Sequence, residues 1–369
     1  MTSLDIRHTW RSDIQGLRGV AILFVVFGHL FPTLLPGGFI GVDLFFVISG
    51  DVITSQLQSL WAADQKKVLT TFYFRRVRRI LPSALLVLFT TVLAAHILLG
   101  PIFKADATRD GFWASIFLAN FHFAHQSQDY FSTGAPQSLL QHYWSLSIEE
   151  QFYLLWPIIL LFILSRRLAK QGTLITVGSL TLLSFAFCMA NIYLFDNLNF
   201  FNSSARAWQL LAGCLISLVN LRLSRTTELK VISAIILVIF AFTLDETMRW
   251  PNLSTLLVII SAALLCLPSG DQRLFLLESP TLIYIGDLSY LLYLWHWPVL
   301  MITKNYFSDF QSRHIFLVLI LTVVLSIISH YLVEKPLRQS RLLVALPRIT
   351  IVSGISALFA SALTLRYLL

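Results

Sequence analysis

The sequence has few charged residues. Aspartate, glutamate, lysine and arginine make up 12% of its 369 residues, against about 25% in an average soluble domain. Hydrophobic residues make up 56% of the chain, and the mean hydropathy is +0.74. Because a soluble protein of this length cannot bury so much apolar surface, the composition excludes a water-soluble globule, a disordered chain and a coiled coil. It predicts a polytopic helical membrane protein.

Cysteines and the common catalytic motifs are scarce as well. The three cysteines, Cys188, Cys214 and Cys266, each lie in an apolar run without a partner at metal or redox spacing, so we interpret them as small buried residues. The chain lacks a Gly-x-Ser-x-Gly elbow, a Walker loop, a Rossmann glycine fingerprint and zinc-ligand spacing. We therefore expect no metal. We also expect no nucleic-acid partner, because the net charge of +8 comes from loop residues and not from a basic stripe.

Eleven apolar runs are candidate membrane spans. We predict an all-α fold, a polytopic transmembrane helical bundle of about 11 spans that forms a single domain over residues 1–369. A further run, residues 112–123, is too short to cross a bilayer, and we interpret it as re-entrant or interfacial. The eleven runs are 17–35, 39–60, 81–99, 147–164, 174–194, 205–219, 229–244, 253–267, 282–303, 314–333 and 349–368.

The distribution of cations predicts the orientation. With the amino terminus in the cytoplasm, most of the 27 lysines and arginines fall in cytoplasmic segments. Arg109 and Arg206 are among the few that this topology assigns to outer segments. We therefore expect a cytoplasmic amino terminus.

Two polar residues, Arg18 and His29, lie in the first apolar run. Eleven residues at about 100° each are close to three helical turns, so both side chains share one helix face. Asp43 lies about as far from the turn at residues 36–38 as His29 does, which predicts a similar depth on neighbouring helices. Beside an aspartate, neutral His29 is suited to remove the proton of an attacking hydroxyl. The alternative is that His29 is a satisfied core residue.

Four arginines directly precede the third run and follow the aromatic residues 72–74. Arg75, Arg76, Arg78 and Arg79 lie within five positions. Guanidinium groups match phosphates bidentately, so the cluster is suited to a nucleotide-bearing cofactor from the cytosol. Anchoring of the helix to anionic lipid is the alternative.

Two further segments combine aromatic and polar side chains near the predicted outer surface. Aromatic faces beside polar groups suit a sugar ring, and an interfacial aromatic belt is the alternative. The residues concerned are His142, Trp144 and Glu150 in HYWSLSIEEQFY, and Tyr290, Trp295 and His296 in LSYLLYLWHWP. Ser147 and Glu150 also have the spacing of a capping box, so Glu150 is either part of a helix cap or part of a site.

Six segments, taken together and in order, resemble one family. They are DIQGLRGVAILFVVFGH, GGFIGVDLFFVISG, FYFRRVRRILP, HYWSLSIEEQFY, LSYLLYLWHWP and YLVEKPLR. This set resembles the acyltransferase-3 family, bacterial membrane O-acyltransferases that include O-antigen and peptidoglycan acetylases. The resemblance covers nearly the whole chain.

The resemblance implies an enzyme of the bacterial cytoplasmic (inner) membrane, in contact with lipid. Such an enzyme would move an acetyl or other acyl group from cytoplasmic acetyl-CoA to a hydroxyl of an extracytoplasmic or lipid-linked cell-surface saccharide. Arg18 and His29 match the family motif of an arginine, ten residues and a histidine, and Arg76 and Arg78 match its Arg-x-Arg motif. The predicted sites are catalytic His29, Asp43 and Glu150; donor-binding Arg18, Arg75, Arg76, Arg78 and Ser49; and saccharide-binding His142, Trp144, Tyr290, Trp295 and His296.

The chain departs from the family pattern at Asp51. A large apolar residue usually follows Ser49 and Gly50 in the family, and an acid here would either alter the donor pocket or pair with an arginine. Many members also continue into an SGNH-type domain after the eleventh span. This chain has the eleventh run at 349–368 and no such domain, so both a stand-alone membrane enzyme and a truncated sequence stay open.

Two functions of other classes also stay open. A transporter or flippase for a lipid-linked sugar would use the same buried ions along a substrate path, although the sequence shows no clear repeat symmetry. A non-catalytic assembly or sensor protein is the second alternative, but it would not explain why Arg18 and His29 share one helix face.

Overall fold

Long apolar segments form helices because a backbone within lipid must satisfy its own hydrogen bonds. The computed structural model of the protein describes residues 11–126, 137–166, 169–194, 200–219, 226–244, 250–268 and 274–368. These ranges contain helices and no strand, which confirms the all-α prediction.

Fifteen α-helices follow one another in the described ranges. They are α1 Ser12–Leu30, α2 Ile40–Ala63, α3 Val68–Leu98, α4 Pro101–Ser115, α5 Ala119–His125, α6 Tyr143–Ser165, α7 Lys170–Leu194, α8 Ser203–Val219, α9 Thr226–Thr243, α10 Leu253–Cys266, α11 Pro280–Tyr306, α12 Ser312–Ser329, α13 Lys335–Gln339, α14 Arg341–Ala345 and α15 Pro347–Leu368. A 3-10 turn, Pro36–Phe39, precedes α2. A π-helix, His330–Glu334, connects α12 to α13.

Each of the eleven predicted runs overlaps one of these helices. Eight helical segments are long and apolar enough to cross a membrane: Ser12–Leu30, Pro36–Ala63, Val68–Leu98, Tyr143–Ser165, Lys170–Ile192, Thr226–Thr243, Ser312–Ala345 and Pro347–Leu368. Helices α8, α10 and α11 are not among the eight, and α8 and α10 have only 17 and 14 residues. The count of eleven spans and the cytoplasmic amino terminus stay predictions.

The short run at residues 112–123 is not one continuous helix. Helix α4 ends at Ser115 and α5 begins at Ala119. Between them Phe117 has a φ of 55°, a left-handed conformation that interrupts the helix. This break agrees with a segment that does not cross the membrane, and its re-entrant or interfacial position stays a prediction.

The helices group into two packed units. Unit 1 contains the described residues of Met1–Val68 and Gln151–Ser289, and unit 2 those of Leu69–Glu150 and Tyr290–Leu369. The prediction of one membrane domain over residues 1–369 stays a prediction.

In unit 1, α2 and α8 pack with their backbones in direct contact. A Cβ atom on Gly50 would lie 1.9 Å from the carbonyl oxygen of Leu210, and one on Gly213 would lie 2.0 Å from that of Val47. Small residues at such crossings allow this close approach within a membrane. The contact fixes the register of α2, which carries the predicted site residues Asp43 and Ser49.

In unit 2, tyrosine hydroxyls connect α3 to α6 and α11. Tyr143 on α6 donates to the carbonyl oxygen of Ala84 at 2.7 Å. Tyr290 on α11 donates to the carbonyl oxygen of Ile80 at 2.8 Å. These hydrogen bonds lie one turn apart on α3, directly after the arginine cluster.

Candidate functional site

In unit 1, Asp43 is a buried carboxylate with three hydrogen-bond donors. Nη1 of Arg206 lies 3.0 Å and Nε2 of Gln209 2.8 Å from Oδ1, and Nε1 of Trp250 lies 3.1 Å from Oδ2. Asp43 and Arg206 are each 1% exposed. These contacts bind the carboxylate to α8 and to Trp250. A catalytic role for Asp43 stays a prediction.

Arg206, which the charge distribution assigns to an outer segment, is part of a helix, and its side of the membrane stays a prediction. It lies in the first turn of α8 and is buried, and its guanidinium also stacks over Phe200 at 4.7 Å from the ring centroid. A buried cation in a membrane helix needs a counter-charge, and Asp43 provides it. The signal available in the sequence was a cation three residues inside an otherwise apolar helical run.

Arg18 and His29 lie on one unbroken helix. Helix α1 is continuous from Ser12 to Leu30, as the predicted common face requires. Nε of Arg18 donates to Oγ of Ser289 at 3.2 Å, and His29 is half-buried in the last turn. His29 is therefore placed where part of its ring is accessible. Its role as general base stays a prediction.

Ser49 on α2 meets α6 through Tyr153. The phenol of Tyr153 donates to Oγ of Ser49 at 3.0 Å, and Nε1 of Trp156 donates to Oγ1 of Thr54 at 2.9 Å. Tyr153 lies in the segment HYWSLSIEEQFY, so two of the motifs that carry the resemblance are hydrogen-bonded to each other. The sequence spacing gave no indication of this contact.

Asp51 belongs to a group of four charges in unit 1, of which all but Arg11 are buried. Oδ2 of Asp51 lies 3.5 Å from Nη1 of Arg11, and Nη2 of Arg11 lies 2.8 Å from Oδ2 of Asp13. Nζ of Lys230 lies 3.5 Å from the same oxygen of Asp13. Of the two possibilities raised for Asp51, the structure has the pairing with an arginine. Its partner is Arg11, which lies outside the predicted donor-binding set.

In unit 2, His142 and His296 lie side by side with Tyr293 between them. The two imidazole centroids are 5.9 Å apart, and each histidine is 2% exposed. The Tyr293 hydroxyl donates to the carbonyl oxygen of His142 at 3.0 Å and lies 2.5 Å from Oγ of Ser145. The structure thus brings together residues from both predicted saccharide-binding segments. Tyr293 was missed, although it lies inside the segment LSYLLYLWHWP.

Three other residues predicted to bind a saccharide are buried or hydrogen-bonded within the protein: Trp144, Trp295 and Tyr290. Trp144 is 1% and Trp295 is 5% exposed, and Nε1 of Trp295 donates to Oγ of Ser329 at 3.0 Å. The Tyr290 hydroxyl is used in its bond to α3. These rings do not form an exposed aromatic belt. Their contact with a saccharide stays a prediction.

Glu150 is not part of a helix cap, and the capping-box prediction is wrong. Helix α6 begins at Tyr143, so Ser147 and Glu150 lie in the second turn and beyond, where backbone N–H groups already have helical partners. Oγ of Ser147 and Oε1 of Glu150 are buried, and no hydrogen-bond partner meets either atom among the described residues. The charges that act on Glu150 are those of Arg76 and Glu149. A buried carboxylate oxygen left unused by the fold is available to a ligand.

The arginines of α3 stack on the aromatic residues that precede them. The guanidinium carbon of Arg76 lies 5.4 Å from the ring centroid of Phe72, and that of Arg78 lies 4.2 Å from the centroid of Phe74. Nε and Nη1 of Arg78 are buried, and no acceptor from the described residues reaches them. Arg78 therefore has two oriented donors for an anion. Within the described ranges no three His, Cys, Asp or Glu side chains form a group that could hold a metal.

Comparisons with known proteins give one consistent result. A family model described as an acyltransferase domain matches residues 11–331. The O-acetyltransferase OatA of Staphylococcus aureus (strain NCTC 8325 / PS 47) is 32% identical over 346 residues, which are 88% of this chain and 57% of that protein. The peptidoglycan O-acetyltransferase OatA of Listeria monocytogenes is 31% identical over 350 residues, 89% of this chain and 56% of that protein. The chain thus spans a little over half the length of these relatives. No solved structure matches it.

Proposed function

We propose a function from one premise: this chain belongs to the acyltransferase family whose domain model it matches over residues 11–331. On that premise the protein is a multi-pass membrane O-acetyltransferase that acts on a saccharide of the cell wall or cell surface. The match supports the proposal because it includes every residue that the sequence predicts to be catalytic or donor-binding, from Arg18 to Glu150. The names of the relatives point to acetyl as the group and to peptidoglycan as an acceptor.

The proposed donor is acetyl-CoA from the cytoplasm. Its phosphates would bind the guanidinium groups of α3, and the two unused donors of Arg78 support this assignment. The proposed orientation, with the amino terminus and the arginines of α3 on the cytoplasmic side of the bacterial inner membrane, rests on the distribution of cations.

The proposed reaction is a direct transfer. The acceptor hydroxyl attacks the thioester carbonyl while His29 takes its proton, the new ester C–O bond forms, and the C–S bond breaks. The CoA thiolate leaves and takes up a proton, which returns His29 to its neutral form. The half-buried position of His29 supports this role, because a general base must reach the hydroxyl and still lie out of bulk water. Glu150 is proposed as a second polar group at the acceptor.

The test is transfer by the purified protein in lipid nanodiscs with acetyl-CoA and a saccharide acceptor. Product formation is measured by mass spectrometry as a gain of about 42 Da, the mass of an acetyl group in place of hydrogen. His29→Ala should abolish transfer while the yield of folded protein stays unchanged, because a lost general base costs about 10²–10⁴-fold in rate. Full activity of this variant would refute the assignment of His29.

The same preparation separates the enzyme from a flippase. An acetyltransferase is stabilised thermally by acetyl-CoA and slowly hydrolyses it, whereas a flippase for a lipid-linked sugar ignores this ligand. A protein that moves the lipid-linked sugar across the bilayer without acetylating it would overturn the proposed function.

A further inference from the structure

Helices α4 and α5 bring together an aspartate and a histidine that the proposed reaction does not use. Nε2 of His122 on α5 lies 2.8 Å from Oδ1 of Asp110 on α4. Asp110 is 2% exposed, and the side chain of His122 is 9% exposed. A carboxylate beside one nitrogen of an imidazole fixes the tautomer and the orientation of the ring, so that the other nitrogen is set for a substrate.

The carboxylate of Asp110 is also bound by the segment that precedes α6. Oγ of Ser138 donates to Oδ2 of Asp110 at 2.5 Å, and the backbone N–H of Leu140 donates to the same Oγ at 3.1 Å. Nε1 of Trp297 on α11 donates to the carbonyl oxygen of Ser138 at 2.9 Å. All of these residues belong to unit 2. Through Ser138, Asp110 is therefore connected to the segment LSYLLYLWHWP, which carries predicted saccharide-binding residues.

These contacts determine which nitrogen of His122 is left for a ligand. The charged oxygen of Asp110 is a stronger acceptor than the side-chain amide of Gln126, which lies 3.0 Å from the same Nε2. The proton of Nε2 therefore points to Asp110, and Nδ1 carries the lone pair of the neutral ring. Nδ1 has no hydrogen-bond partner among the described residues. Trp113 stacks on His122, with ring centroids 5.5 Å and planes 16° apart, which holds the imidazole in this orientation.

The surroundings of His122 favour a ligand with hydroxyl groups over an anion. Nη2 of Arg109 lies 2.6 Å from Oδ1 of Asp106, and its Nε lies 3.8 Å from Oδ1 of Asp110. Two carboxylates thus surround one guanidinium, and the excess negative charge disfavours phosphate or a further carboxylate. A hydroxyl is the donor that fits the lone pair of a neutral imidazole. The predicted topology also assigns Arg109 to an outer segment, the side on which a saccharide acceptor is expected.

We propose that His122, oriented by Asp110, is a saccharide-binding residue that extends the predicted acceptor site of unit 2. A hydroxyl of the sugar donates to Nδ1 of His122. Asp110 keeps the proton on Nε2 and is a positioning residue. The inference rests on the proposed function, because it assigns a further subsite to the acceptor of that reaction.

The experiment measures acetylation of a soluble disaccharide fragment of peptidoglycan by the full chain in lipid nanodiscs. His122→Gln removes Nδ1, while the amide N–H of glutamine takes the place of the Nε2–H donor to Asp110. Loss of one hydrogen bond should raise the KM for the saccharide about three- to tenfold, with kcat and the KM for acetyl-CoA unchanged. His125→Gln, the same change at an exposed position of α5, is the matched control and should alter neither KM. Equal effects of the two variants would overturn the proposal.

A second variant tests the positioning role of Asp110. Asp110→Asn replaces the charged acceptor with an amide, which no longer specifies the tautomer of His122. It should also raise the KM for the saccharide and leave the KM for acetyl-CoA unchanged. The double variant should bind the saccharide no more weakly than His122→Gln alone, because Asp110 acts through His122. Additive losses, or an equal rise of both KM values, would overturn the positioning role.

The same assay separates failure of the subsite from failure of the proposed function. If His29→Ala abolishes transfer and His122→Gln behaves like the control, the proposed function stands and the role of His122 falls. If the unaltered protein does not acetylate the fragment, both fall together. Titration calorimetry with the fragment and without acetyl-CoA should show the same three- to tenfold loss in His122→Gln, expected for one lost hydrogen bond. Unchanged affinity in that titration would also overturn the subsite.

Discussion

Removal of Arg206 tests how strongly the buried Asp43 depends on the cation that pairs with it. Asp43 is 1% exposed and accepts hydrogen bonds from Arg206, Gln209 and Trp250. Arg206→Met leaves the carboxylate with two neutral donors and no counter-charge. Breaking a buried pair in this way costs about 3–5 kcal/mol, because an uncompensated charge stays out of water. We therefore expect a loss of that size in the free energy of unfolding.

The assay is unfolding of the purified protein in mixed micelles with increasing dodecyl sulfate. The matched control is Lys67→Met, which breaks the pair of Lys67 with Asp64 at 3.3 Å, where the side chains are 70% and 43% exposed. An exposed pair contributes about 0–1 kcal/mol. Adding Asp43→Asn to Arg206→Met should restore part of the lost stability, since asparagine carries no charge and its amide oxygen still accepts from Gln209. The reasoning is refuted if Arg206→Met costs no more than the control, or if Asp43→Asn restores nothing.

Two further substitutions test helix packing and the site. Gly50→Ala should lower the yield of folded protein sharply, because its Cβ would lie 1.9 Å from the carbonyl oxygen of Leu210. Gly178→Ala, whose Cβ would have nothing within 4 Å, should be neutral in the same size-exclusion and thermal-unfolding assays. Equal behaviour of the two variants would contradict the close packing of α2 and α8. Glu150→Gln should lower the transfer rate about 10²-fold or more at unchanged thermal stability, because Oε1 has no partner among the described residues whose loss would weaken the fold. Loss of stability with full activity per folded molecule would instead indicate a structural role.

Hydropathy located the helices well because it reflects the energetics of the backbone in lipid. Each apolar run overlaps a helix, since hydrogen bonds within the segment are the only way to satisfy its polar groups there. The six motifs identified the family, and the family match confirms it. Both results depend on the order and chemistry of residues along the chain, which a sequence states directly.

Helix boundaries and polar partners were harder to predict. The spacing of Ser147 and Glu150 fits a cap, and only the start of α6 at Tyr143 shows that both lie inside the helix. Arg206 lies near the start of an apolar run, and only the packing of α8 against α2 shows that it is buried beside Asp43. Whether a side chain caps a helix, and which charge it pairs with, depends on the backbone groups and charges that lie within a few ångströms of it in the folded protein.

The sequence by itself determined that this is a helical membrane protein of the acyltransferase family, because local apolar content and ordered motifs are properties of the chain alone. The tertiary structure decided which polar side chains are satisfied by the fold and which stay available. It binds Asp43 to Arg206 and Ser49 to Tyr153, and within the described part of the chain no partner meets two donors of Arg78 or one oxygen of Glu150. These pairings join residues distant in sequence, so they exist only once the helices have packed.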